Sequence, residues 1–112
     1  MDLDILTKQI VSQMRLYHQR MGTKSWDYQI AAKDLPCQVG SLLKLIMQLN
    51  GERYAHGKSA QMIKAEIADE LADILSLVVF IAHELNIDLG QAWSTMLKSD
   101  EQKFDKRFVE KE

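Results

Sequence analysis

Four carboxylates, Glu66, Asp69, Glu70 and Asp73, stand at offsets 0, 3, 4 and 7 directly before an apolar run from Ile74 to Ala82 that only Ser76 interrupts. On a helix those offsets place all four on one narrow stripe. The run that follows is apolar on nearly every side, the pattern of a helix enclosed in a bundle rather than lying on its surface. Like charges at this spacing cost a few tenths of a kcal/mol each even in water, and more where water is scarce. A hard cation such as Mg²⁺ is one way to neutralise them. Two plainer readings stand beside it. Acids near a helix start complement the macrodipole, but with Ser59 as the cap, Glu70 and Asp73 lie about three turns in, beyond that effect. A solvated acidic face fits the spacing as well as a metal site does.

The bulk properties narrow the class. At 112 residues the expectation is one compact domain, 1–112. A net charge of −2 argues against a general binder of nucleic-acid polymers. The lone cysteine, Cys37, excludes an internal disulfide and a cysteine-built zinc cage. No apolar core of a signal peptide follows MDLDILTKQ, and the longest apolar run is too short to cross a bilayer. The expectation is a cytoplasmic protein with no membrane partner.

Five glycines, one proline and no β-branched alternation point to an all-α chain. Leu3, Leu6, Ile10, Met14, Tyr17 and Met21 step by three or four, giving a first amphipathic helix from about Asp2 to Arg20, ended by Gly22. Residues 22–33 read as a loop carrying Trp26 and Tyr28, which either fold back as a lid or offer a face for a nucleobase to stack on. Asp34 reads as the N-cap and Pro36 as a first-turn residue of a second helix running to Leu49. That helix is apolar almost all round, with Gly40 placed for close helix approach and Asn50-Gly51 as its stop. The third helix spans about Ser59 to Leu85, and Asn86 stops it. Asp88 caps a fourth from Leu89 to about Phe108, whose buried face is Leu89, Ala92, Trp93, Met96 and Leu97, with Phe104 and Phe108 extending it. The expected architecture is four-helix bundle-like, two central apolar helices flanked by the first and last. Those inner helices are too apolar for so small a monomer to cover, so a homodimer or homotetramer is expected.

Glu70-Leu-Ala-Asp73 leading into an apolar helix, then His83-Glu-Leu-Asn-Ile-Asp-Leu89 and Gln91-Ala-Trp93, resembles the MazG-like family of all-α nucleoside triphosphate pyrophosphohydrolases. Glu70 and Asp73 match that family's second motif, ExxD. The resemblance runs from about Leu35 to Arg107, and its first motif departs from the pattern. Where the family has ExxE, this chain reads Gln38-Val39-Gly40-Ser41-Leu42, an amide and a hydroxyl in place of two carboxylates. Gln38 and Ser41 still offer oxygen but no charge, which weakens cation binding and removes a candidate base.

The resemblance implies Mg²⁺-dependent (or Mn²⁺-dependent) hydrolysis of an NTP or dNTP to the monophosphate and pyrophosphate, a house-cleaning activity on the nucleotide pool. Glu70 and Asp73 are then the principal catalytic and metal residues, with Glu66 and Asp69 in support. Lys44, Lys103 and Arg107 are the candidates for phosphate contact, and Trp26 or Tyr28 for the base. The alternative is a homologue that has lost catalysis and serves as a nucleotide-binding or oligomeric interaction module. The ELAD and IDL segments favour the enzyme; Gln38 and Ser41 favour the module. No paired Glu-x-x-His, H-E-x-x-H or Walker loop occurs, and His18, His56 and His83 are scattered.

Overall fold

The computed structural model describes residues 1–22 and 27–111, with side chains described for 1–20, 22 and 27–106. The chain is all-α: α1 (Leu3–Met21), α2 (Tyr28–Leu49), α3 (Ala60–Glu84) and α4 (Leu89–Lys111). Among the described residues there is no strand. No helix is long and apolar enough to cross a membrane.

Helices α1 and α3 begin and end where the chain's punctuation places them, and α4 begins there but runs on to Lys111, past the expected end at about Phe108. Asp2 caps α1, its Oδ1 accepting from the Asp4 and Ile5 amides at 2.9 and 3.2 Å. Gly22 closes α1 in the left-handed region, φ 62°, its amide donating to the His18 carbonyl. Ser59 Oγ accepts from Met62 N at 3.2 Å to start α3, and Asp88 Oδ1 accepts from Gln91 N at 3.0 Å to start α4. Between α3 and α4, Asn86 takes φ 54°, a left-handed conformation that Asn tolerates better than most residues.

The second helix starts earlier than its proline suggests. Its N-cap is Asp27, whose Oδ1 accepts from the Gln29 and Ile30 amides at 2.9 and 3.0 Å. Asp34 is therefore an interior residue and not a cap, Tyr28 is the first helical residue and not a loop aromatic, and Pro36 lies inside the helix. An interior proline removes one helical hydrogen bond and costs about 3 kcal/mol. Burial offsets it: Ala31 is wholly enclosed and Leu35 packs against the core. Both contacts are lost if the helix starts at Pro36. Trp26 lies outside the described residues.

The core joins Ile10 of α1, Ala31 of α2 and Leu77, Val79 and Phe80 of α3, flanked by Leu3, Leu6, Met14, Leu35, Ile81 and Leu89. The closest partnership is between α2 and α3, which run antiparallel through the connection at residues 50–59; α1 packs on α3. Two expectations fail here. The fourth helix does not bury its apolar face: Trp93 is 59% exposed, Met96 43%, Leu97 41% and Phe104 60%. Gly40 is not at a close approach either, since a Cβ there would meet nothing within 4 Å.

The result is an extended chain. Its radius of gyration is 18.4 Å, against about 13 Å for a compact domain of this length. The excess comes from α4, which touches the body chiefly through Leu89 and the neighbourhood of Gly90 and Leu3.

Candidate functional site

Antiparallel packing of α2 against α3 sets Gln38 opposite Glu70, so the two positions that the resemblance relates face each other. The Gln38 amide lies between two carboxylates. In one orientation Nε2 donates to Asp34 Oδ2 at 3.3 Å, and Oε1 is turned toward Glu70. In the other, Nε2 donates to both Glu70 oxygens at 2.9 and 3.1 Å, and Oε1 is turned toward Asp34. Two short bonds to an anion outweigh one long one, so without a cation the second orientation is preferred. Either way, the amide oxygen is left against a carboxylate with no proton between them.

On the α1 side of this pair lies a cleft of about 430 Å³. Its walls are Gln13, Met14, Tyr17 and His18 from α1, Asp34 and Gln38 from α2, and Asp73, Ser76 and Leu77 from α3. That volume falls within the range that holds small-molecule ligands, roughly 300–1,000 Å³. The Asp73 carboxyl titrates above its ordinary 3.8, first because the cleft partly desolvates it, then because Asp69 and Asp34 place negative charge nearby.

The remaining candidates scatter. Glu66 is committed elsewhere, its Oε2 2.8 Å from Lys58 Nζ. Asp69 stays on the acidic stripe and acts on Asp73 through its charge, but does not line the cleft. Ser41 turns its hydroxyl back to the Cys37 carbonyl at 3.2 Å. Tyr28, Lys44 and Lys103 are exposed and do not line the cleft, and the Arg107 side chain lies outside those described. Among the described residues no lysine or arginine lines it.

Asp34, Tyr17, His18 and Gln13 are the lining residues that sequence reasoning missed as a site. Asp34 sits four residues before Gln38 and so shares its face of α2. Extending the helix back through Pro36 would have revealed it. Tyr17 read as a core residue of α1 yet is 53% exposed at the cleft mouth, its ring edge-on to His18.

Among the described residues, no three His, Cys, Asp or Glu side chains stand close enough together to hold a metal ion by themselves. Mg²⁺ does not require such a cage: it usually takes one or two carboxylates and completes its octahedron with water and substrate phosphate. The Gln38 amide meets Glu70 with one of its atoms and Asp34 with the other, at hydrogen-bond separations. Glu70 and the Gln38 oxygen are hard oxygen donors of the type Mg²⁺ takes. Comparisons with protein-family models, characterised proteins and solved structures found no match.

Proposed function

We propose that this chain is a Mg²⁺-dependent nucleoside triphosphate pyrophosphohydrolase, taking an NTP or dNTP and water to the monophosphate and pyrophosphate. The observation that supports this reading most is the amide of Gln38 held between Glu70 and Asp34, so that in either orientation its oxygen is turned against a carboxylate. An amide oxygen pressed against a carboxylate is unfavourable unless a cation is shared between them.

In this reading Glu70 and the Gln38 oxygen would hold Mg²⁺, with Asp34 accepting from Gln38 Nε2 and so fixing the amide where the first motif would place an acid. The Gln38 amide has two orientations, one donating to Glu70 and one turning its oxygen to Glu70, and a cation would favour the second. A bound Mg²⁺ supplies Lewis acidity toward the phosphate oxygens. Asp73, with its raised carboxyl, is the stronger base of the set and takes the proton of the attacking water. Water adds to the α-phosphorus, the bond to the bridging oxygen breaks, and pyrophosphate leaves. Met14 and the exposed face of Tyr17 offer the base an apolar wall. Among the described residues no lysine or arginine lines the cleft, so a bound divalent ion would supply phosphate neutralisation there. The same reading has the chain working as a homo-oligomer.

A second reading is carried by the same amide. Nε2 bonded to both Glu70 oxygens satisfies that carboxylate without any metal, which suits a relative that binds nucleotide or a partner without hydrolysing it.

Pyrophosphate release from a panel of NTPs and dNTPs with Mg²⁺ or Mn²⁺ separates the two. The enzyme reading expects turnover that Glu70→Gln lowers at least about a hundredfold. Nucleotide binding without turnover supports the second reading, and neither binding nor turnover eliminates both.

A further inference from the structure

The charges of the α2·α3 pair are segregated to one side. Between residues 35 and 49 the only charged side chain is Lys44, and between 65 and 82 the only ones are Glu66, Asp69, Glu70 and Asp73. On a helical projection none of the five falls on the side of its helix turned away from the cleft. That side carries Val39, Leu43 and Ile46 on α2 and Leu71, Leu75 and Val78 on α3, each trio spaced i, i+4, i+7. Because the helices are antiparallel, with both cleft faces toward α1, both trios emerge on the same side of their contact line. Together they wall a shallow groove along the α2·α3 seam, with every wall residue at least 36% exposed.

The same chain holds a second apolar stripe with nothing on it. Trp93, Met96 and Leu97 share one side of α4, and α4 projects from the body. It cannot fold back into its own groove. Only residues 85–88 link it to α3, and Leu89 is fixed in the core beside Leu3 on the α1 side, opposite the groove. We infer that α4 of each chain lies in the α2·α3 groove of a second copy, two such contacts closing a twofold dimer.

One contact type, used twice, covers both apolar surfaces. The nine side chains involved approach the roughly 800 Å² per partner that a specific interface buries. Charge agrees with the pairing. Asp100 is the one charged residue that interrupts the α4 stripe, and Lys64 is the cation at the groove's edge on α3. A dimer joined groove to groove would leave α4 bare, and one joined α4 to α4 would leave the groove bare. The exchange leaves neither. It deepens the homo-oligomer part of the proposed function and leaves the chemistry of the cleft untouched, because the groove and the cleft are on opposite sides of the pair.

The test is complementation between two full-length variants. Wild type should sediment at twice the chain mass at micromolar concentration. Leu43→Glu in the groove and Leu97→Glu on α4 should each weaken association at least about a hundredfold by burying an unpaired charge. An equimolar mixture of the two should again give dimers, since α4 of the Leu43→Glu chain meets an intact groove on the Leu97→Glu chain. A monomeric wild type, a variant that stays dimeric, or a mixture that stays monomeric overturns the proposal. If either variant loses its helical circular dichroism, Trp93 in a Trp26→Phe chain gives the answer. In the dimer its emission should be blue-shifted and shielded from iodide, and a dimer whose Trp93 is quenched like free indole contradicts the exchange.

Discussion

The two sides of the α2·α3 pair share one backbone and one core yet hold opposite chemistry. The cleft side gathers Asp34, Gln38 and Asp73 around a space of about 430 Å³, with Glu70 reached through Gln38 rather than lining that space itself. The far side is apolar apart from Lys64 at its edge and has no cover of its own among the described residues. Both sides are out of balance in the isolated chain, the first by unneutralised anions and the second by uncovered hydrocarbon. What relieves the first is an ion; what relieves the second is another protein surface. The difference teaches that residue charge, not helix placement, decides which side of a helix pair can host chemistry.

The hardest blow to the comparison is one that removes the support common to both sides. Phe80→Ala, cutting a side chain 5% exposed in the core that joins α1 to α3, should cost about 3–5 kcal/mol. Urea unfolding measures it, and a loss below about 1 kcal/mol would mean that the core is not shared as described.

Restoring the first-motif acid sharpens the cleft side. Gln38→Glu replaces an amide donor by an anion within about 3 Å of Glu70. Without divalent ions the variant should be less stable by about 1–3 kcal/mol, because Glu70 loses its donor and gains a repelling neighbour. With Mg²⁺ the loss should shrink or reverse, since a third carboxylate joins the set. Thermal melts with and without Mg²⁺ read both. A Mg²⁺-independent melting temperature in this variant would break the link between the acids and the ion.

The pH dependence is a smaller effect with a fixed sign. Asp73 titrates higher in the folded chain than its ordinary 3.8, so the folded state holds that proton to higher pH than the unfolded state. Its contribution to stability therefore falls as pH rises from the unfolded value through the raised folded value, and stays low above it. Asp73→Asn should flatten that part of the stability–pH curve and stabilise the chain at neutral pH, while abolishing any turnover. Denaturant midpoints across pH 3 to 7 check the sign. A variant less stable than wild type at neutral pH contradicts it.

The smallest expected change is at the edge of the acidic stripe. Lys58→Met breaks an ion pair whose side chains are 30% and 44% exposed, so it should cost at most about 0.5 kcal/mol after solvent screening. It also frees Glu66. If cation affinity then rises, Glu66 reaches the site when released; unchanged affinity assigns it to the surface.

Much of this was legible in the residues. Asp2, Gly22, Ser59, Asn86 and Asp88 announced their helix ends because each acts through its own neighbouring amides or its own φ. The motif match singled out Gln38 and Glu70 separately, and only the packing of α2 on α3 pairs them. Pro36 misled, because its local cost was outweighed by the enclosure of Ala31, a tertiary contact invisible in the local pattern. With the start of α2 misplaced, Asp34 read as a cap and its role at the cleft was hidden. The α4 stripe also misled, since periodicity tells that Trp93, Met96 and Leu97 share a face but not which surface meets it. Tyr17 failed for the same reason from the other direction, in step with core residues but open to the cleft.

The measurement that bears most directly on the cleft is Mn²⁺ binding followed by electron paramagnetic resonance in wild type and Glu70→Gln. Wild type should bind one ion per chain, Mg²⁺ should displace it, and Glu70→Gln should lose it while keeping its helical circular dichroism. Wild type that binds no Mn²⁺, or a Glu70→Gln chain that binds it as tightly, contradicts the account.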